Sequence, residues 1–270
     1  MSADLIHHLN AFADTDLKMP VLFVGHGSPM NAIEDNEFSE AWMEVSRALP
    51  IPQAIICISA HWQTVDTQVT AMEWPKTIHD FQGFPRELFE KEYPAKGSPD
   101  LADLTRATVK KTQIGLNQNW GLDHGTWSVL CRMFPNADIP VVQISLDHTK
   151  GPAYHYELSK ELYSLRKKGV LIIGSGNIVH NLRTVVWQDK AYDWAVDFDE
   201  TIKQFILTGD HNAIINYPKL GQTAQLAVPT NEHFLPLLYV LALQDPKDEI
   251  SFFGDKVTMG SMSMRSVKIG

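Results

Sequence analysis

Three histidines stand at or just beyond the ends of apolar runs, and their side chains are of the kind that binds metals. The runs cover residues 21–25, 54–60 and 170–174, and the histidines are His26, His61 and His180. Short β-branched runs that stop at glycine or serine predict buried strands of a parallel sheet. The carboxyl ends of such strands line the ligand crevice, and imidazole is the commonest protein ligand of transition metals. The sequence therefore predicts a divalent metal bound in a pocket at one edge of the sheet.

Small residues surround two of these histidines and leave space for a ligand. His26 lies between two glycines, where the backbone can turn sharply. His180 follows Gly174-Ser175-Gly176-Asn177, whose glycine spacing matches neither the dinucleotide-binding pattern nor the P-loop. Ser175 also lacks the glycines, two residues to either side, of a nucleophile elbow. Arg183 either binds a substrate carboxylate or forms a surface ion pair, and the sequence leaves both alternatives open.

Two further histidines lie in segments that suit a pocket. His124 belongs to an aspartate–histidine pair that stands between glycines and is flanked by tryptophans. His233 follows Glu232 at the predicted start of a helix. Both of these side chains can bind a divalent cation, but at a helix start they can instead serve the helix macrodipole. The sequence does not decide whether Glu232 or His233 is the ligand.

The composition favours one domain over residues 1–270. The chain is 44% hydrophobic and has a net charge of -9 without any block of like charge, which argues against binding to nucleic acid or to a membrane surface. Cys57 and Cys131 lie in apolar segments and are predicted to be buried thiols in a reducing cytosol. Met1–Lys18 lacks the features of a secretory signal, and no apolar run has the length of a membrane helix. We expect a cytoplasmic protein, either monomeric or a small homo-oligomer, with His7 and His8 exposed to solvent.

Strand-like and helix-like segments alternate from residue 21 to about residue 174, which is typical of an α/β fold. Further strands are predicted at 140–146 and 261–269. Spacing and capping signals predict helices at 37–49, 99–111, 152–168, 192–207 and 231–243, the last of them capped by Thr230. Residues 73–93 and 212–229 are predicted to be irregular. The first of these two segments mixes aromatic and polar side chains, which suits a pocket wall.

Six short motifs occur along the chain in a fixed order. They are Gly-His-Gly-Ser-Pro-Met (25–30), Ser-Ala-His-Trp (59–62), Thr-Ile-His-Asp-Phe-Gln-Gly-Phe-Pro (77–85), Gly-Leu-Asp-His-Gly (121–125), Gly-Ser-Gly-Asn-Ile-Val-His-Asn-Leu-Arg (174–183) and Glu-His-Phe-Leu-Pro-Leu (232–237). Each motif alone is a weak signal. Together, the chain resembles the class III extradiol ring-cleavage dioxygenases from about residue 20 to residue 270.

This resemblance implies a fold and a set of site residues. The fold is a single-domain three-layer α/β sandwich with a mixed, largely parallel central sheet. His26, His61 and His233 match metal ligands of the family. His180 matches a histidine that is an acid–base catalyst in the wider superfamily and a further metal neighbour in nearer relatives. His124 matches a second pocket histidine that handles oxygen or protons.

The resemblance also implies a divalent metal, although this chain departs from the usual iron site. Iron(II) enzymes of this type use two histidines and one carboxylate, whereas here His233 stands at the third place with Glu232 beside it. A site made only of histidines suits Zn²⁺, which also lies above Fe²⁺ in the Irving–Williams order. We therefore expect Zn²⁺ in the purified protein and Fe²⁺ for oxygenase activity.

The reaction that the resemblance implies is cleavage of a catechol ring, with an L-DOPA-like substrate opened at the 4,5 bond and both atoms of O₂ inserted. Arg183, Phe81 and Trp127 are predicted to contact the substrate, the aromatic side chains as a water-poor wall. Two other functions stay open. One is a zinc-dependent hydrolase with His180 as the base, which no His-Glu-x-x-His pattern supports. The other is a non-catalytic metal-binding protein of the same fold.

Overall fold

A mixed eight-stranded sheet runs through the protein, whose computed structural model describes residues 12–270. His7, His8 and most of the Met1–Lys18 segment lie outside the described residues. The strands in chain order are β1 (Val21–Gly25), β2 (Ala54–Thr64), β3 (Gln68–Thr70), β4 (Lys76–Thr77), β5 (Gly115–Asn117), β6 (Gly121–Leu122), β7 (Val141–Asp147), β8 (Val170–Gly176), β9 (Ile250–Phe253), β10 (Val257–Thr258), β11 (Met262–Ser263) and β12 (Ser266–Ile269).

The large sheet has the spatial order β5-β3-β7-β2-β8-β1-β12-β9. Its four central strands, β7, β2, β8 and β1, are all parallel to their neighbours in this group. Strands β12 and β9 are added antiparallel at one edge, and β3 is added antiparallel at the other. The pairs β4–β6 and β10–β11 form two small separate sheets. The predicted mixed, largely parallel sheet is thus confirmed.

Helices cover both faces of the sheet. They are α1 (Glu37–Ala48), α2 (Arg86–Phe89), α3 (Pro99–Thr108), α4 (His124–Met133), α5 (Pro152–Lys160), α6 (Asp193–Thr208), α7 (His211–Ile215), α8 (Gln222–Ala227) and α9 (Leu235–Leu241). Three 3₁₀ segments cover Pro29–Ala32, Glu161–Lys168 and Tyr217–Leu220. None of the helices in the described part of the chain is long and apolar enough to cross a membrane.

Alternate side chains of the central strands form two hydrophobic cores, one on each face of the sheet. In β1, Val21 and Phe23 belong to the core that α3, α5, α6 and α9 cover. Leu22 and Val24 point the other way and pack with α1 and α4. Successive side chains of a strand point to opposite faces, so fully apolar strands require a layer on each side. The arrangement confirms the predicted three-layer α/β sandwich.

Most of the predicted elements form, with Ser98 capping α3 through a hydrogen bond to the Leu101 amide. Cys57 and Cys131 are buried free thiols, as predicted. The predicted helix at 152–168 changes from α to 3₁₀ after Lys160, and Gly169 ends it in the left-handed conformation.

Three predictions of local structure were wrong. The last long helix begins at Leu235 rather than at residue 231, because the Thr230 hydroxyl donates to the Glu232 side chain instead of capping a backbone amide. Residues 212–229 hold most of α7 and all of α8, which are too short to show a clear period in the sequence. The predicted strand at 261–269 splits into β11 and β12 because the two parts pair in different sheets.

Two glycines of β8 let the start of α9 and the turn before it lie directly on the sheet. A side chain at Gly174 would collide with the carbonyl oxygen of Pro236, and one at Gly176 with that of His233. The Asn177 amide instead donates to the His233 carbonyl at 2.9 Å. This close approach brings His233 to the carboxyl edge of the central strands.

Replacing Gly176 by alanine is expected to lower the free energy of unfolding by about 1–3 kcal/mol, because the added methyl group would overlap backbone atoms. Denaturant unfolding followed by circular dichroism measures this change. Gly115→Ala is the matched control in the same sheet, because its new methyl group would lie at ordinary contact distances, 3.4 Å from a Gln68 side-chain carbon and 3.9 Å from the Thr67 carbonyl oxygen. We expect that control to stay within about 0.5 kcal/mol of the unaltered protein. Equal stability of the two variants would contradict the close-approach argument.

Candidate metal centre

Three histidines meet at the carboxyl edge of strands β1, β2 and β8. His26 directly follows β1, and its backbone amide continues the hydrogen bonding between β1 and β8. His61 lies in β2, where the register with β7 shifts between Ile58 and Gln63. Irregularities of this kind re-aim side chains beside functional sites. His233 lies in the turn before α9. The structure therefore brings together three histidines that are distant in sequence.

The three rings surround one small volume. Ring centroids are 5.0 Å apart for His26 and His61, 5.3 Å for His26 and His233, and 5.0 Å for His61 and His233. The Nε2 atoms of His26 and His61 lie 3.2 Å apart. The Nε2 atom of His233 is buried and has no hydrogen-bond partner among residues 12–270. A buried imidazole nitrogen without a partner is costly unless something else binds it.

A serine fixes which nitrogen of His26 carries the proton. Ser175 Oγ donates its only proton to the carbonyl oxygen of Gly125, at 2.5 Å. At 2.9 Å from His26 Nδ1 it can therefore only accept a hydrogen bond. The proton of His26 consequently lies on Nδ1, and Nε2 keeps its lone pair.

Carboxylates lie beside the Nδ1 atoms of the other two rings. His61 Nδ1 lies 3.4 Å from an oxygen of Asp80, and His233 Nδ1 lies 3.1 Å from an oxygen of Glu232. An ionised carboxylate only accepts hydrogen bonds, so Glu232 holds the proton of His233 on Nδ1, and the negative charge of Asp80 favours the same tautomer of His61. Outer carboxylates of this kind commonly orient the histidines of metal sites. The arrangement favours His233 as the ligand, with Glu232 behind it.

The chemistry of this donor set fits a divalent metal. Burial, and then the neighbouring imidazoles, hold the pKa values of His26, His61 and His233 well below their usual range. Uncharged imidazole is the form that binds metals. Lone pairs of three uncharged rings that face one another repel, and a cation between them converts that repulsion into attraction.

His180 lies against His233 rather than across the cluster from it. The two rings are stacked, with centroids 3.5 Å apart and an interplanar angle of 7°. Ligand atoms of His180, Glu232 and His233 lie within 4.8 Å of one another, so these residues form a second group that could hold a metal ion. Burial, and then His124, lower the pKa of His180 to about 4. This position fits both predicted roles of His180, the acid–base catalyst and the further metal neighbour.

His124 adds a fifth ring to the cluster from the start of helix α4. It is the first residue of α4, after the capping residue Asp123. Its ring centroid lies 3.8 Å from that of His61, and its Nδ1 atom lies 3.0 Å from Asp80. Ligand atoms of His26, His61 and His124 all lie within 4.8 Å of one another, so these three residues also form a group that could hold a metal ion. The resemblance gives His124 a role with oxygen or protons and does not include it among the metal ligands.

Two aspartates near the cluster have different environments. Asp123 is buried and accepts a hydrogen bond from Ser59 at 2.6 Å rather than contacting the ring of His124, and burial raises its pKa. Asp80 contacts both His61 and His124. Burial alone would raise the pKa of Asp80, but the hydrogen bond and charge of His124, together with His61, bring it below its usual range. Asp80 is therefore the shared anion of two pocket histidines.

The sequence analysis missed this role of Asp80, and also that of Ser175. Asp80 belongs to the motif at 77–85, but that segment is mostly irregular, and no local period shows which residues it faces. The residues around Ser175 exclude a nucleophile elbow and indicate no other role for it. Its register opposite Val24 of β1 is what places it beside His26, and strand register is not visible in one sequence.

A cavity of about 280 Å³ opens above the cluster. Its floor is formed by five histidines: His26, His61, His124, His180 and His233. Phe81 lines the cavity together with Phe84. Trp127 lies outside the lining: it is buried, its indole nitrogen donates to the Ile78 carbonyl at 2.8 Å, and its ring lies 6.2 Å from that of Phe81. Arg183 is exposed and also lies outside the lining.

Comparison with known proteins agrees with this geometry. Residues 20–264 match the family of the catalytic LigB subunit of aromatic ring-opening dioxygenase. The chain is 46% identical over 259 residues to an Escherichia coli K12 protein named 4,5-DOPA dioxygenase extradiol, covering 94% of this chain and 95% of that protein. It is 36% identical over 255 residues to a Beta vulgaris protein of the same name, covering 91% and 94% respectively.

A solved structure has the same fold. The crystal structure of an uncharacterized Escherichia coli K12 protein superposes with a TM-score of 0.82 at 42% sequence identity. The match covers 93% of this chain and all of the other. Family model, relatives and fold thus agree over nearly the whole chain. The protein belongs to the LigB family of aromatic ring-opening dioxygenases, and it is an extradiol dioxygenase.

Proposed function

We propose that this protein opens catechol rings of the L-DOPA type beside the paired hydroxyl groups, at the 4,5 bond, and incorporates both atoms of O₂. One ring carbon–carbon bond breaks, and both oxygen atoms enter the product, so no external reductant is needed. The observation that carries the proposal is the set of three histidine rings, from His26, His61 and His233, that surround one small volume beneath an apolar cavity. The names of the relatives from Escherichia coli and Beta vulgaris support L-DOPA as the first substrate to test.

His26, His61 and His233 are the residues that would hold the metal. Fe²⁺ bound there would supply the redox chemistry that lets O₂ react with the ring. Because the donors are imidazoles, Zn²⁺ competes well for the same place. We propose Zn²⁺ as the ion that accumulates on purification and Fe²⁺ as the ion for turnover.

His180 is placed to take the first proton. A catechol hydroxyl loses a proton when the substrate binds, and a neutral imidazole can accept it. With its pKa near 4, the His180 ring is unprotonated at neutral pH, and it lines the cavity. His124 is the second candidate, because it also lines the cavity and its ring lies 3.8 Å from that of His61.

Phe81 and Phe84 exclude water from the ring of the substrate. Their own rings lie 5.4 Å apart at 82°, and Phe81 also lies 5.5 Å from His124. Apolar walls with few polar groups are typical of small-molecule sites. Trp127 supports this wall from behind, through Phe81.

We also propose that the protein acts on small molecules in the cytoplasm. Two buried free thiols, Cys57 and Cys131, support a reducing compartment. The net charge of -9 supports small neutral substrates over nucleic acid.

Replacing His180 by alanine is expected to lower kcat for L-DOPA by about 10²–10⁴-fold, because the proton acceptor is lost. Turnover is followed by O₂ consumption and by the yellow semialdehyde product, after anaerobic loading with Fe²⁺. His148→Ala is the matched control, since His148 is exposed and lies outside the cavity. Near-normal turnover by His180→Ala would remove this residue from the mechanism.

The same assay separates the hydrolase alternative. An extradiol dioxygenase consumes O₂ and is inactive without it, whereas a zinc hydrolase that activates water works anaerobically. We expect activity with Fe²⁺ in air and none under argon. Zinc-dependent turnover under argon would favour the hydrolase, and bound iron without any ring opening would favour a non-catalytic binding protein.

Replacing His233 by alanine is expected to abolish stoichiometric metal binding, whereas His124→Ala is expected to retain it. The reason is that His233 has a buried, unpartnered Nε2 atom and an Nδ1 atom that contacts Glu232, whereas the Nδ1 atom of His124 lies 3.0 Å from the carboxylate of Asp80. Metal content after reconstitution and desalting, measured by mass spectrometry of the eluted ion, gives the answer. The reverse outcome would make His124 the third ligand.

Replacing Glu232 by glutamine is expected to weaken metal affinity by about 10–100-fold, because the carboxylate that orients His233 is lost. Competition with a chromogenic chelator measures the affinity. Glu249→Gln is the matched control, since Glu249 is exposed and distant from the cluster in the fold. Equal affinity of Glu232→Gln and the control would show that the carboxylate does not orient the ring.

A further inference from the structure

The mouth of the cavity carries large apolar side chains that stand open to solvent. Leu182 is 67% exposed and Trp187 is 76% exposed, and both line the cavity. Val185 lies between them in sequence and lines it too. We call these three residues the apolar rim. Exposed apolar groups gathered at a cavity commonly mark the place where a ligand is covered.

The loop that carries the apolar rim is fixed to the protein at both ends. The Val186 amide donates to the Met259 carbonyl at 3.0 Å, and the Met259 amide donates to the Gln188 carbonyl at 3.2 Å. The hydroxyl of Thr184 lies 2.9 Å from that of Ser261. The apolar rim is thus a preformed surface, and its exposure does not result from a loose loop.

The charges that reach the cavity do not suit an ionic substituent. Among residues 12–270, no lysine or arginine contributes to the lining of this cavity. Its one carboxylate, Asp80, already contacts both His61 and His124. A substrate carboxylate would therefore lose water without gaining a cation, and a substrate ammonium group would compete with two histidines for one anion. Burying an unpaired charge in such surroundings is unfavourable.

We propose that the preferred substrate is a catechol whose ring substituent is uncharged and apolar, and that Leu182 and Trp187 determine this specificity. The inference rests on the proposed ring-opening function. L-DOPA is then a substrate whose zwitterionic end remains in water at the mouth, and it makes little use of the apolar rim.

Four catechols with side chains of similar length test the preference: 4-propylcatechol, dopamine, 3-(3,4-dihydroxyphenyl)propionate and L-DOPA. With the iron-loaded full-length protein, kcat/KM for 4-propylcatechol is expected to exceed that for L-DOPA by about tenfold or more. The propionate is expected to be the poorest substrate. Equal or higher kcat/KM for L-DOPA or the propionate would overturn this inference and leave ring opening intact. Failure to open any of the four rings would overturn the proposed function and the inference with it.

A substitution in the apolar rim gives the second readout. Trp187→Ala is expected to raise KM for 4-propylcatechol about tenfold and to change KM for unsubstituted catechol by less than about twofold. Trp74→Ala is the matched control, since Trp74 is 61% exposed but lies outside the cavity lining. The control is expected to leave both constants unchanged. An equal effect of Trp187→Ala on both substrates would contradict a specificity role, because the rim would then act on the site as a whole.

Discussion

The site depends on one electrostatic constraint, which is that several uncharged imidazoles direct lone pairs at the same small volume. His26, His61 and His233 would repel one another there in the absence of a cation. Ser175 and Glu232 hold the protons of His26 and His233 on the opposite nitrogens, and the negative charge of Asp80 favours the same tautomer of His61. The residues that contact the outer nitrogens of the three histidines therefore orient the inner nitrogens for metal binding.

The sheet and the loops make different contributions to this arrangement. Parallel strands β1, β2 and β8 fix two of the three rings and the serine that orients one of them. The third ring comes from a turn that can approach only because β8 carries glycine at residues 174 and 176. The loop that bears Asp80 and the loop that bears the apolar rim then close the sides of the cavity. The carboxyl edge of the sheet thus forms the floor of the cavity, and loops form its walls.

The sequence was sufficient for the parts of the structure that follow from local pattern. Apolar runs ending at His26 and His61 predicted both the parallel strands and the shared edge, and the capping signal at Ser98 predicted the start of α3. A single sequence does not show which distant segments of the chain come into contact. The contact of Asp80 with two histidines depends on the path of an irregular segment, and the position of Ser175 depends on strand register. Arg183 was considered for substrate binding from its distance to His180 along the chain, yet the turn after β8 leaves it at the surface.

The dispersion of the three imidazoles along the chain has a consequence for folding. His26 and His233 are separated by most of the sequence, and they adjoin only after β1 has paired with β8 and the segment before α9 has docked. The unfolded chain therefore offers no preassembled chelate, and an ion that binds the native state alone stabilises it by mass action, by about 2.7 kcal/mol at a free concentration one hundred times its Kd. Metal availability in the cell thereby becomes a determinant of how long this enzyme persists, in addition to whether it can react.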